Sequence, residues 1–269
     1  MQHYKALIGK AWDTAFDAHT CQQEGLPKVL DEIIEALDTG RARVAVYQDA
    51  VWQVQEWLKK ALLLNIRLQE NKPLTYPCPG YDKIPSKFEG WDDARFKEAR
   101  LRVVPGAFVR KGSYVAPGCV LMPSFINFGT YVGEETMIDI GADVGSCAQI
   151  GKRCHVSAGV VIGGVVEPLQ AAPVILEDHV FVGAQSAIVE GVLVQEGAVI
   201  GMGVKLGAST PIFDRASGKI SYGVIPPRSV VVPGCLPSQG GVSLYCAVII
   251  KQVDAKTREK TAINDLLRP

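Results

Sequence analysis

From Val103 to about Pro233 the apolar and polar positions recur every six residues. Aliphatic side chains occupy Val120, Ile126, Val132, Ile138, Val144, Ile150, Val156 and Ile162. Four positions after most of them comes a small or compact residue: Ser124, Thr130, Thr136, Ala142, Ala148, Cys154 and Val160. A helix would repeat at 3.6 and a half-buried strand at 2. Six is the step of a triangular parallel β-solenoid, in which each side is one short strand plus a corner and three sides close a coil. The series stops after Gly163-Gly164 and resumes out of phase at Leu176, Val182, Ile188, Val194, Ile200 and Leu206, because 14 residues separate Ile162 from Leu176. The chain is therefore expected to leave the solenoid in a loop near 165–173, around Glu167 to Pro173, where Pro168 and Pro173 have no N–H to give a ladder.

The flanks follow other periods. Residues 1–20 read as a helix with Trp12 and Phe16 on one face, and Gly25-Leu26-Pro27 opens a second that carries Val29, Leu30, Ile33, Ile34 and Leu37 inward. Asp38-Thr39-Gly40 stops it. Arg43–Tyr47 alternates as a short strand, Trp52–Leu68 has the spacing of a third helix, and Pro73 to Pro85 reads as a proline-rich connector without a clear period. Beyond the solenoid, Phe213–Tyr222 predicts a hairpin loop, Val230–Val232 and Leu244–Val253 predict strands around a Gly240-Gly241 turn, and Lys256–Leu267 predicts a helix. These signals divide the chain into an α-rich domain over 1–100, a solenoid over 101–233 and a small C-terminal β cap over 234–269 that covers an otherwise bare strand edge.

Composition narrows the function. The 269 residues carry a formal net charge of zero, which argues against nucleic acid or an anionic membrane as the main partner. No apolar run is long enough to span a membrane, and the first residues do not read as a signal peptide. Seven cysteines, an odd number without a C-x-x-C pair, disfavour zinc and a disulfide framework and predict a reduced cytoplasmic setting. Cys119, Cys147 and Cys154 lie on the repeat and read as small hydrophobes rather than catalytic thiols.

Among groups that carry chemistry, Asp139 directly follows the aliphatic Ile138, so its carboxylate is anchored on a stiff wall, where it could orient or deprotonate an amine nucleophile. Glu167, Glu177, Asp178, Glu190 and Glu196 rank below it. Arg102 opens the solenoid and has the fork geometry for a substrate carboxylate, although taken alone it reads better as a surface ion-pair member. His155 and His179 are weighed as bases because many solenoid acyltransferases use one; each reads better as a hydrogen-bonded surface group. Gly164, Gly201, Met202 and Gly203 permit close backbone approach by an extended ligand, with N–H groups near Gly201–Gly203 as oxyanion donors. Lys205, Arg228 and Lys251 are candidates for ligand phosphates. No G-x-G-x-x-G follows a strand and no P-loop is present, so hydride transfer and nucleotide hydrolysis have no support.

Several strings go beyond the repeat: Arg102-Val-Val-Pro105, Leu121-Met-Pro-Ser124, Val144-Gly-Ser-Cys-Ala-Gln-Ile-Gly151, Ile162-Gly-Gly164, Glu167-Pro-Leu-Gln-Ala171, Ser243-Leu-Tyr-Cys-Ala-Val248 and Val253-Asp-Ala-Lys-Thr-Arg258. Together they resemble the tetrahydrodipicolinate N-succinyltransferases of lysine and diaminopimelate synthesis, over nearly the whole chain. The resemblance implies a homotrimer of left-handed parallel β-helices, an acyl-CoA lying between neighbouring subunits, an amino dicarboxylate acceptor contacted by Arg102 and Asp139, and no histidine base; no metal or prosthetic group is expected at the site. Succinyl-CoA is the expected donor.

Departures from the family pattern leave an alternative. Its Asp-Thr-Trp reads here Asp139-Ile140-Gly141, and its Gly-Ala-Arg-Ser-Glu reads Gly183-Ala184-Gln185-Ser186-Ala187, so a carboxylate is missing at Ala187 and an arginine at Gln185. Glu190 is not an obvious replacement. A paralogue using acetyl-CoA on a related acceptor, like the acyltransferase of tabtoxin synthesis, is the second reading. A trimeric binding solenoid without chemistry is the third.

Overall fold

The computed structural model describes residues 3–13, 25–75, 78–166, 172–260 and 262–268. Two-residue strands separated by corners wind a three-sided prism from Arg102–Val103 to Val224–Ile225, and every stacked pair is parallel and in register. One side is a ten-stranded sheet whose outward residues are Arg102, Val120, Met137, His155, Phe181, Val199 and Val230. It is called here the Arg102 face. The other two sides have six strands each, one displaying Tyr114, Tyr131 and Gln149, the other Phe108, Phe125, Asp143, Val161, Ala187 and Lys205. The partners of these residues point inward and form one core of Val109, Val115, Leu121, Ile126, Val132 and their successors up to Val231.

The six-residue period holds with one slip. Val120, placed in the aliphatic series by its spacing, is half-buried and faces outward; Leu121 takes the inward position, fully buried. From Leu121 to Ile126 is five residues, and the coil from Leu121 to Ile138 is 17 where that from Val103 to Leu121 is 18. The ladder decides this: Ile138 can stack only over a residue that points inward, so one residue is taken from the Met122–Ser124 corner. The phase break after Ile162 has the opposite cause. Ile150 pairs Leu176 across 26 residues, an 18-residue coil plus eight inserted ones. Most of the predicted excursion loop, Glu167–Ala171, lies outside the described residues.

The compact corner residues act as ties between coils. Thr130, Thr136 and Ser186, all buried, donate through their hydroxyls to the carbonyls of Gly145, Gly151 and Gly201 at 3.1, 2.8 and 2.9 Å. A buried hydroxyl must find a partner, and the next coil supplies it.

Helices Tyr4–Asp13, Leu26–Asp38 and Glu56–Leu68 pack together and onto the solenoid corners through Phe128 and Cys147. Phe16 of the predicted first helix lies outside the described residues. The third helix starts at Glu56, because the stretch before it, read from sequence as helix, is a strand: Val51–Val54 pairs antiparallel with Ala45–Gln48. Asp49 and Ala50 between them both have positive φ, 53° and 61°, the two-residue reversal that suits a twisted hairpin. The connector also contains a strand pair that its prolines concealed, Lys72–Leu74 with Gly80–Asp82, and beyond it comes an Asp93–Ala99 helix capped by the Asp92 side chain.

A buried clip joins the helical layer to the solenoid. Asp38, at the end of its helix, accepts from Lys87 Nζ at 2.8 Å and from the Gly112 amide at 2.8 Å. The Tyr131 face is covered: Arg43 lies over the Tyr131 ring at 3.6 Å and Trp52 Nε1 donates to Glu177 Oε1 at 2.8 Å. The upper Arg102 face is also closed. Long strands Ser229–Pro237 and Ser243–Gln252 extend its sheet, and Leu266 packs against buried Val199 and Val230. The predicted last helix is two, Ala255–Lys260 and Ile263–Leu266. Ile212–Asp214 and Ile220–Ser221 form the expected hairpin. The lower Arg102 face and its edge toward the Phe125 face remain open.

Candidate active site

Asp139 follows the inward Ile138 at the edge between the two open faces. Its backbone is held by an N–H bond to Val156 O at 2.9 Å, and Oδ1 accepts the amide of Ile140 at 2.7 Å. That bond fixes the carboxylate rotamer and leaves Oδ2 to face outward. Arg102 is exposed on the same face. Its strand stacks under Val120, which stacks under Met137, so the guanidinium starts two rungs below the acid, about 10 Å along the prism axis.

His155 occupies the next rung of the same column, paired with Met137. Its Nε2 lies 3.6 Å from Asp139 Oδ2 and is buried without a hydrogen-bond partner, while Phe181 stands edge-on to the ring at 5.4 Å. Sequence reasoning set this residue aside. The signal was available in the coil length: 18 residues above Met137 is 155, directly over the residue two before Asp139.

The other predicted ligand groups separate. Ser157, Gly183 and Gly201 stack above Asp139 at the same edge, each held to the next coil by the preceding rung's register. Gly201 N donates to Val231 O at 2.8 Å and Gly203 N to Ala184 O at 3.0 Å, so neither amide is available to an oxyanion. A Cβ on Gly183 would meet the backbone of Met202 at 2.5 Å, and one on Gly201 would meet Val231 O at 3.0 Å. These glycines are required for coil stacking, and they leave a smooth track above the acid, with Met202 exposed beside it. Gly164 is on the opposite edge of the Phe125 face, against Ser146, whose hydroxyl accepts the amides of Val165 and Val166. Lys205 projects from the Phe125 face and its amide donates to Tyr245 Oη at 2.6 Å. Lys251 spends its ammonium on Arg268 O at 2.6 Å. Arg228 stands at the corner on the far side of the Arg102 face, lining a cavity with Arg153, His179 and Arg258.

Among the described residues, neither Glu190 nor another carboxylate on the Arg102 face replaces the one missing at Ala187. Glu190 is at the far corner of the Phe125 face, where Oε2 accepts the Ala208 amide at 2.9 Å. Asp143, which the sequence reading passed over, projects from the Phe125 face four residues after Asp139, and burial beside its neighbours raises its carboxyl above the usual range. The interior thiols are inert. Burial pushes Cys119 up to about 11 and Cys147 and Cys154 up to about 12.

The geometry offers a carboxylate at the edge of the Arg102 face, an exposed arginine on the same face, and a glycine-smoothed edge above them. Comparison with known proteins adds the chemistry's family. Residues 3–68 match the tetrahydrodipicolinate N-succinyltransferase N-terminal family, residues 129–164 the bacterial transferase hexapeptide family, and residues 173–208 the hexapeptide repeat of succinyl-transferase. A 2,3,4,5-tetrahydropyridine-2,6-dicarboxylate N-succinyltransferase of Acinetobacter baylyi is 53% identical over 272 residues, covering 100% of this chain and 99% of that one. One of Methylobacterium sp. (strain 4-46) is also 53% identical, over 97% of this chain and 96% of its own. The chain belongs to the tetrahydrodipicolinate N-succinyltransferase family. Its solenoid is the left-handed parallel β-helix that the resemblance implied. A solved Campylobacter jejuni structure, described as a putative 2,3,4,5-tetrahydropyridine-2-carboxylate N-succinyltransferase, aligns over 82% of this chain and 62% of its own at 16% identity and TM-score 0.48.

Proposed function

We propose that this family member transfers the succinyl group of succinyl-CoA to the amino group of tetrahydrodipicolinate in its open, 2-amino-6-ketopimelate form. The observation that carries the reading is the full-length identity to N-succinyltransferases, joined to the placement of Arg102 and Asp139 on one open face. Arg102 clamps an acceptor carboxylate through two parallel N–H bonds. Asp139 Oδ2 holds the acceptor nitrogen and takes its proton, and the amine attacks the thioester directly, without an acyl-enzyme. The carbon–sulfur bond breaks and the thiolate leaves with a proton. The pantetheine arm follows the edge past Ser157, Gly183 and Gly201, about 14 Å of track above the acid.

The same reading makes the working unit a homotrimer. Phe125, Ile140, Val161 and Met202 are exposed around the Asp139 edge, an apolar strip of the kind that marks an interface, and a neighbouring subunit there would close the groove over the donor. A reducing cytoplasmic setting agrees with the free cysteines Cys78, Cys119, Cys147, Cys154, Cys235 and Cys246.

Thiol release tests the proposal, with tetrahydrodipicolinate offered to succinyl-CoA and acetyl-CoA in parallel. Succinyl-CoA is expected to give the higher kcat/KM; preference for acetyl-CoA would refute the donor assignment. Asp139→Asn is expected to cut kcat by about 10²-fold or more with an unchanged circular dichroism spectrum. Turnover near the unsubstituted level would remove Asp139 from the mechanism.

A further inference from the structure

We propose that His155 is a proton-relay residue that passes the acceptor's proton from Asp139 to solvent; this rests on the reading of Asp139 given above. The need for a relay follows from proton counting. An ammonium acceptor that becomes an amide loses two protons, and the departing thiolate takes up one. The other must leave the site, which a donor and a neighbouring subunit would close. Asp139 Oδ2 takes it first. Because Oδ1 is occupied by the Ile140 amide, the acid so formed has its proton on the oxygen that faces His155.

Three features fit His155 to receive it. Its Nε2 is 3.6 Å from Oδ2, just beyond hydrogen-bond length, a separation of the kind that shortens when substrate fills an active site. That nitrogen is buried and has no hydrogen-bond partner among the described residues, although a buried polar atom left unpaired is costly. The rest of the ring is open, with 41% of the side chain exposed against 25% for Asp139, so the imidazole is the more exposed of the two groups. Phe181 on the next rung stands edge-on to the ring at 86° and the His155 amide is bound to Val180 O at 3.0 Å, which together hold the imidazole plane toward Oδ2. Asp139 is the charged group facing Nε2, and the Phe181 side is apolar.

The step balances without a co-reactant. The ammonium gives a proton to Asp139 Oδ2, and the freed nitrogen pair forms the bond to the thioester carbon. The carboxylic acid then passes its proton to Nε2 of neutral His155, while the proton on Nδ1 departs to water. Carboxylate and imidazole are restored after the ring exchanges its tautomer.

The test uses the intact enzyme carrying His155→Ala, His155→Gln or Asp139→Asn, assayed by thiol release with and without added imidazole. His155→Ala should lose about 10- to 100-fold in kcat, keep both KM values within about twofold, and regain several-fold in kcat with imidazole, which should not affect the unsubstituted enzyme. His155→Gln, able to pack but not to exchange a proton, should melt like the parent and stay slow. A kcat for His155→Ala within twofold of the parent, or a loss that imidazole does not restore, overturns the relay. If Asp139→Asn is inactive while His155→Ala is normal, only the relay fails. If Asp139→Asn is fully active, the reading of Asp139 fails with it.

Discussion

A carboxylate on a two-residue strand owes its usefulness to the residue before it. Ile138 is locked inside the prism, so Asp139 has little freedom to turn away, and the Ile140 amide removes what remains. The thiols show the reverse case, in which burial removes reactivity. With Cys119 raised to about 11 and Cys147 and Cys154 to about 12, these groups are neutral thiols at pH 8 and ionise only near or above those values. Cys78 and Cys235 are exposed to reagent at the surface. Iodoacetamide at pH 8 on the native protein is therefore expected to modify Cys78 and Cys235 and to spare Cys119, Cys147 and Cys154, as read by peptide mass spectrometry. Rapid alkylation of Cys147 in the folded state would contradict the closed corner around it.

At the scale of the element, the coil is held by its corners as much as by its strands. Thr136 Oγ1 donates to Gly151 O at 2.8 Å and accepts the Cys154 amide at 3.0 Å. Thr136→Val keeps the shape and strands both backbone groups, which should cost about 1–3 kcal/mol; calorimetry should find a lower Tm with turnover retained below it. The same elements show what could be read from the pattern and what could not. The period of six identified the strands from Ile126 onward because a fixed number of residues per side is a local property. It misassigned Val120, since the five-residue step at Met122–Ser124 is visible only when Ile138 chooses Leu121 beneath it. The hairpin at Asp49-Ala50 escaped because neither residue is the glycine or asparagine that usually advertises positive φ.

For the whole molecule, the helical layer is fastened by charge as well as by apolar packing. Lys87 and Asp38 have side chains only 5% and 9% exposed, and burial lowers the lysine's affinity for its proton while Asp38 opposes that shift. Asp38→Ala leaves a buried ammonium uncompensated and frees the Gly112 amide, for an expected loss of about 3–5 kcal/mol, measured by denaturant unfolding. A loss below 1 kcal/mol would show that the apolar contacts of Phe128 and Cys147 hold the layers without the clip. The proposed trimer has its own test. Val161 is 42% exposed on the Phe125 face, so Val161→Glu should leave the single chain folded but shift sedimentation from a three-chain to a one-chain mass, with turnover lost. An unchanged mass would remove this face from the interface.

The sequence alone determined the solenoid, its break after Gly163-Gly164, the family, and the candidacy of Asp139 and Arg102, because period and motif are written in neighbouring residues. Only the tertiary structure decided what lies above what. Coils of 17, 18 and 26 residues set which side chains share a column, and those lengths follow from backbone pairing between distant strands. That stacking brought His155 to Asp139 and used the Gly201 and Gly203 amides within the wall. A hydrogen bond in a coil is made with a partner a full turn away, and no local spacing reveals whether an N–H is already spent.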